Sequence, residues 1–272
     1  MKTFWNAAFY FAVVLIVVVA VFPFYYAIIT SFKTGTSLFQ VNYWPTEFNW
    51  GNYRSVLTQG EFPRNILNSV FVATVTVALA LLLGVTASYA LARVRFRGRT
   101  LLLLTILAVS MFPQISIVSP LYLLLRGLGL LNTYPGLVLP YMTFAMPLTI
   151  WLLVGYFRQL PAGLEEAAFM DGAGRLRTLW EVVLPLSAPG LATTAILTFL
   201  YSWNEFLFAL SFAMGPERYT VPVAIALFRG QYQVPWGEIL AAAVVASVPV
   251  ALVVFAAQRR IVSGLTSGAV KG

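Results

Sequence analysis

The sequence predicts an all-α, polytopic membrane protein with six transmembrane helices and a cytoplasmic helix in the charged stretch between spans four and five. Three observations carry this. The 272 residues are 60% hydrophobic and only 10% charged, with a mean hydropathy of +0.84, whereas soluble domains average about 25% charged residues. Six apolar runs reach the length of about 20 residues that crosses a hydrocarbon core about 30 Å thick. The basic residues gather at the ends of those runs.

Span one is expected over about 7–30. Lys2 and the run behind it imitate a secretory leader, but the run is long and no small-residue cleavage site follows, so it reads as a retained anchor. A polar, aromatic segment follows over 31–64, with Trp44, Pro45 and Trp50. Span two is expected over about 66–92, ending at the basic turn Arg93, Arg95, Arg97, Arg99. Span three, about 101–125, is interrupted by Pro113 and Pro120, and a short turn leads to span four, about 134–157. Span five is expected over about 188–214. A loop with Pro216, Arg218, Arg229 and Pro235 then leads to span six, about 237–258. Each span is expected to be helical, because a helix satisfies its own backbone polar groups in lipid. The internal prolines predict kinks rather than breaks. A β-barrel would need alternating segments of about 10 residues, and the run LLLLTILAV at 101–109 does not alternate. The whole chain, 1–272, reads as one transmembrane domain, with a loop at 161–185 and a tail at 259–272.

Lys and Arg set the orientation. Eleven lie on one side, among them Lys2, Arg93 to Arg99, Arg158, Arg175, Arg177, Arg259, Arg260 and Lys271, against six on the other. Both termini and the charged loop are therefore expected in the cytoplasm. The formal charge of +8 suits lipid headgroups in this arrangement, and nucleic acid is not implied. Cysteine and histidine are both absent, which removes thiol chemistry, the usual metal ligands and the usual proton shuttle. With Asp171 as the single aspartate, an intramembrane enzyme is not expected.

The charged loop, PAGLEEAAFMDGAGRLRTLWEVVLPLSAPG from Pro161 to Gly190, carries the densest information. Pro161 suits a helix start, and Glu165 and Glu166 near that start favour the positive end of the helix dipole. Ala167, Ala168 and Gly172 give a smooth face, with Ala168 and Gly172 one turn apart. Pro185 and Pro189 break the chain before span five. The spacing of Glu166-Ala167-Ala168, Gly172, Val182, Leu184 and Pro185 resembles the cytoplasmic signature of ABC-importer permeases. The departure is Val182, where isoleucine is commoner. The tail QRRIVSGLTSGAVKG at 258–272 and the stretches SMFPQISIVSPLY at 110–122 and YSWNEFLFAL at 201–210 resemble the carbohydrate-importer permeases of the maltose and trehalose type. The shorter, six-helix member of the permease pair is the one matched.

That resemblance implies an all-α bundle in which span one wraps the other five, and a permease subunit that translocates a disaccharide or oligosaccharide across the cytoplasmic membrane. It implies that the loop helix is a coupling helix docking on a separate ATPase through Glu165, Glu166, Ala167, Ala168, Asp171, Gly172, Leu184 and Pro185. It also implies that Gly264, Leu265, Thr266 and Ser267 in an extended tail reach the ATPase dimer. No G-x-x-x-x-G-K-[ST] loop occurs, so ATP and Mg are expected on the partner ATPase, with no cofactor in this chain. A homologous permease and an extracytoplasmic solute-binding protein are the other implied partners.

For the sugar pathway the candidates are Trp203, Asn204 and Glu205. An ionisable group inside a span is expensive and usually faces a cavity or a partner, and an aromatic face beside amide and carboxylate groups suits a sugar. Asn204 and Glu205 are taken as neighbours on one helix, about 100° apart. A structural hydrogen bond between helices, or a gate contact with the sister subunit, stays open for them. Tyr89, Tyr122, Tyr141 and Phe144 read as packing residues. A permease for a non-sugar solute is the alternative, and a secondary transporter, which would show internal repeats and a midplane ion site, is a further one.

Overall fold

The computed structural model describes residues 2–44, 48–58, 60–228 and 234–267, with side chains between residues 5 and 256. Pro45, Arg229, Gly268, Lys271 and Gly272 lie outside the described residues. Every regular element among the described residues is helical: α1 (Lys2–Ser31), a 3-10 turn (Gly35–Phe39), α2 (Gly51–Thr58), α3 (Phe62–Arg93), α4 (Arg99–Ser110), α5 (Gln114–Gly127), α6 (Tyr134–Gln159) and α7 (Ala162–Met170). Then follow α8 (Arg175–Thr178), a π-helical turn (Leu179–Val183), α9 (Leu184–Leu186), α10 (Ala188–Trp203), α11 (Leu207–Phe212), α12 (Val221–Ala226) and α13 (Trp236–Ser267).

Four stretches are long and apolar enough to cross a membrane unaided: Trp5–Ser31, Phe62–Arg93, Tyr134–Gln159 and Trp236–Ala256. Two bent pairs, α4 with α5 at 91° and α8–α9 with α10 at 80°, raise the number to six if each pair is one span. Span three is thus broken, where a kink was expected. Its halves, of 12 and 14 residues, reach only about 18 and 21 Å at 1.5 Å per residue. Pro113 makes the break, because it is extended at ψ 121° and disfavours helix in the residue before it. Pro120 sits inside α5 without ending it.

The chain divides into two compact units, residues 1–63 with 225–248 and residues 64–224 with 249–272. In the first, Asn52 Nδ2 donates to the carbonyls of Ser31 (2.7 Å) and Lys33 (3.0 Å). Phe32 packs edge-on to Trp50 and Phe48. The buried Lys33 ammonium donates to the Gln40 carbonyl and lies over the Tyr26 ring. The described aromatic residues Phe32, Phe48, Trp50 and Tyr53 therefore pack together around the start of α2. Ser55 adds a hydrogen bond to Glu238, 3.0 Å away in the first turn of α13.

In the second unit α6 is the axis of the core. Of its most apolar window 61% is buried, against 6% for α1, and Leu137, Tyr141, Leu153 and Phe157 are wholly enclosed. Thr133 caps its start by accepting from Gly136 N. Small residues let neighbours approach, as is usual in membrane bundles. A Cβ on Gly84 of α3 would stand 2.7 Å from Thr149 of α6, and one on Gly190 of α10 would run into the Tyr156 ring. Thr149 and Thr198 share a 3.0 Å hydrogen bond across the α6–α10 contact. At the first end of α3, buried Asn65 and Asn68 donate to the carbonyls of Pro216, Glu217 and Tyr219, and Asn68 accepts from Tyr134. The chain between α11 and α12 is fastened there.

Candidate functional site

The charged loop folds as expected into a short helix, α7, but its residues divide differently. Pro161 is its N-cap, just outside the first turn. Glu166, Ala167 and Asp171 are exposed and Ala168 is half-buried. Glu165, by contrast, is turned inward and only 7% exposed. Its Oε1 lies 2.7 Å from Arg93 Nε, and its Oε2 accepts from the Tyr89 hydroxyl at 3.2 Å. Arg93 Nη2 also donates to the Leu160 carbonyl at 2.6 Å. Tyr89 and Arg93 are four apart on α3 and so share one face. A helix dipole treats both glutamates alike, and a cation arriving from α3 separates them.

Gly172 does not share a helix face with Ala168, because α7 stops at Met170. Gly172 has φ +82°, Ala173 N donates to Ala168 O at 2.9 Å, and Gly172 N donates to Phe169 O at 3.1 Å. This pair of bonds is the Schellman arrangement that ends a helix on a left-handed glycine. The smooth face is thus a helix stop. Leu184 packs partly against a core cluster of Val85, Tyr89, Leu153, Phe157, Leu179 and Val183, while Pro185 is exposed.

Sequence reasoning missed the apolar character of this surface. Leu164, Phe169, Met170, Leu176 and Trp180 are all exposed, Met170 to 89%. The available signal was location: large apolar side chains in a loop read as lying outside the lipid need a protein to cover them.

The second candidate group sits at a break rather than on a helix. α10 ends at Trp203, with Asn204 as its C-cap, and α11 begins at Leu207. Trp203 is buried and stacks on Phe199. Glu205 is buried too, and its carboxylate accepts from Phe208 N at 2.8 Å and Ala209 N at 3.1 Å. It caps the free amides at the start of α11, which explains how a carboxylate is tolerated there. Asn204 is exposed, with its amide donating to Leu200 O. A cavity of about 470 Å³ opens beside the break, lined by Gln114, Tyr201, Asn204, Glu205 and Phe206 among others. Gln114 Nε2 donates to the Tyr201 hydroxyl at 2.6 Å. The cavity therefore brings together the break in span three and the break in span five. Gln114 and Tyr201 are lining residues that the sequence did not single out.

Helix α13 continues through Ser267, so Gly264, Leu265, Thr266 and Ser267 are helical where an extended tail was expected. Their side chains, and residues 268–272 altogether, lie outside the described residues.

Residues 80–267 match the family described as binding-protein-dependent transport system inner membrane component. Among curated proteins, the chain is 43% identical over 271 residues to the trehalose transport system permease protein SugB of Mycobacterium tuberculosis, covering 98% of this chain and 99% of that one. It is 40% identical over 262 residues to the trehalose/maltose transport system permease protein MalG of Thermococcus litoralis, covering 95% and 94%. Among solved structures, a chain of a bacterial ABC transporter involved in the import of the acidic polysaccharide alginate matches at a TM-score of 0.79 and 26% identity, over 95% of this chain and 96% of that one. A chain of the MetNI methionine ABC transporter matches at 0.58 and 18%, over 74% and 95%, a likeness of fold alone.

Proposed function

This chain belongs to the family of binding-protein-dependent transport system inner membrane components, and we propose that within it the chain is the permease subunit through which an ATP-driven importer passes a disaccharide or oligosaccharide. The observation that carries the sugar class is identity of 40% and 43% over nearly the whole chain to two trehalose-type permeases. The chain works with a homologous permease, an ATPase dimer and an extracytoplasmic binding protein. ATP and Mg sit on the ATPase, and this chain holds no cofactor. Both termini and α7 lie on the cytoplasmic side.

In this reading the exposed face of α7, with Glu166, Ala167, Asp171, Phe169 and Met170, enters a groove of the ATPase. Gly172 ends α7, Leu184 stays packed on the permease core, Pro185 borders the exposed face, and Gly264 to Ser267 continue toward the same partner. Closure of the ATPase on ATP moves α7 and tilts the spans, opening the cavity to the other side. Gln114, Tyr201 and Asn204 are the groups offered to sugar hydroxyls, while Trp203 and Glu205 hold the break that exposes them.

Reconstitution of the chain with its sister permease, ATPase and binding protein in proteoliposomes tests this. Labelled trehalose or maltose is expected to accumulate only with ATP, and Asn204→Ala and Gln114→Ala to lower uptake several-fold in assembled complexes. ATP-driven uptake of an amino acid in place of any sugar would overturn the substrate class.

A further inference from the structure

Glu165 is, among the described residues, the one side chain of α7 that is buried. A surface helix is ordinarily seated by an apolar stripe, yet here the buried anchor is a carboxylate. A buried ion pair is a weak source of stability, because desolvation offsets most of the attraction, and its best-attested use is to fix one arrangement against others. The geometry around Glu165 suits that use. Arg93, the last residue of α3, reaches the Glu165 carboxylate with Nε and the Leu160 carbonyl, just before α7, with Nη2. Tyr89, one turn back on α3, holds the second carboxylate oxygen. Pro161 bounds α7 on one side and Gly172 and Gly174 on the other, so the flanking chain alone leaves its angle free. On the opposite face Glu166, Phe169 and Met170 are exposed.

We propose that Arg93, Glu165 and Tyr89 are positioning residues that lock α7 to the end of α3, so that the docking helix and span two move as one body. The inference rests on the docking reading above, but it concerns the link between α7 and its own permease. The guanidinium is required because it sets its charge beside the carboxylate at Nε while Nη2 donates to the Leu160 carbonyl, a reach across two groups that a compact ammonium does not reproduce.

The chain has no cysteine, so the test labels the full chain, in its assembled complex, at two introduced ones. Phe96 and Gly163 are exposed, and a Cβ on Gly163 meets no neighbour within 4 Å. Spin labels at Phe96→Cys and Gly163→Cys should give one narrow distance that is the same without nucleotide and with bound ATP. In the doubly apolar variant Arg93→Met with Glu165→Met the distribution should broaden, and sugar transported per ATP hydrolysed should fall at least ten-fold while the ATPase still co-purifies. Arg93→Lys should fall between. A wild-type distance that changes with nucleotide, or wild-type coupling in the double variant, would overturn the lock. Absence of ATPase from the purified wild-type complex would instead overturn the docking reading and leave the distance measurement standing on its own.

Discussion

The two ends of α3 are secured by opposite chemistries. At its start, neutral amides do the work: Asn65 and Asn68, both buried, donate to three backbone carbonyls of the turn at 216–219, and Ser69 accepts from Val221 N. At its finish, one guanidinium, one carboxylate and one phenol hold α7. Amide-to-carbonyl bonds spread along a backbone fix a whole turn without introducing charge. A charged clasp touches a helix at one point and leaves the rest of its surface bare. The first suits a turn that must keep its shape, and the second a helix whose exposed face has work elsewhere.

Removing one member from each end sharpens the contrast. Glu165→Ala leaves the part-buried Arg93 guanidinium without its counter-charge, which costs about 3 kcal/mol, the low end for breaking a buried pair. Asn68→Ala strands two carbonyls and the Tyr134 hydroxyl, but neutral groups are cheaper to leave unpaired, about 2 kcal/mol here. Thermal unfolding of the two variants in detergent should therefore rank Glu165→Ala below Asn68→Ala, and both below wild type. The reverse order would mean that the charged clasp is well solvated and that the ends are alike.

A smaller effect separates the shape of α7 from its seating. Gly172→Ala keeps Glu165 in place but puts a Cβ on a left-handed residue, costing about 1 kcal/mol. Space is not the difficulty, since a Cβ there meets no atom within 4 Å. Stability should fall slightly, and ATPase co-purification should fall further if the end of α7 frays. Unchanged stability would show that the helix stop does not depend on glycine.

Four of the spans were legible because length and hydropathy are what lipid demands, and neither depends on the rest of the chain. α1, α3 and α6 emerge close to the expected bounds, while α13 starts where expected but runs on to Ser267, past the expected end at about 258. The loop helix was legible from Pro161 and Gly172, although Gly172 turned out to end the helix rather than to smooth it. The different fates of Glu165 and Glu166 were not legible, since Arg93 lies far away in sequence. Nor was the break at Asn204 to Phe206. No proline or glycine marks it, and a carboxylate capping α11 looks, in sequence, like a carboxylate on a helix facing a cavity. The cavity residue Gln114 could have been found by asking what the Pro113 break exposes.

The smallest expected effect lies at the amide-held end, at the carboxylate of Glu217. Glu217 accepts from Asn132 Nδ2 at 2.7 Å, and that bond, more than the neighbouring Arg218 and Arg64, holds its carboxyl below the ordinary glutamate range. Because the folded value is depressed, the carboxylate's contribution to stability is complete above the unfolded value and is lost as pH falls through the folded one. Comparing wild type with Glu217→Gln from about pH 7 to about pH 3 should show a slightly steeper loss of unfolding temperature in wild type, confined to the acid end. The side chain is open to solvent, so the difference should be small and should shrink in high salt. Identical acid profiles would mean that the Glu217 carboxylate adds nothing to the hold that Asn65 and Asn68 keep on the 216–219 turn.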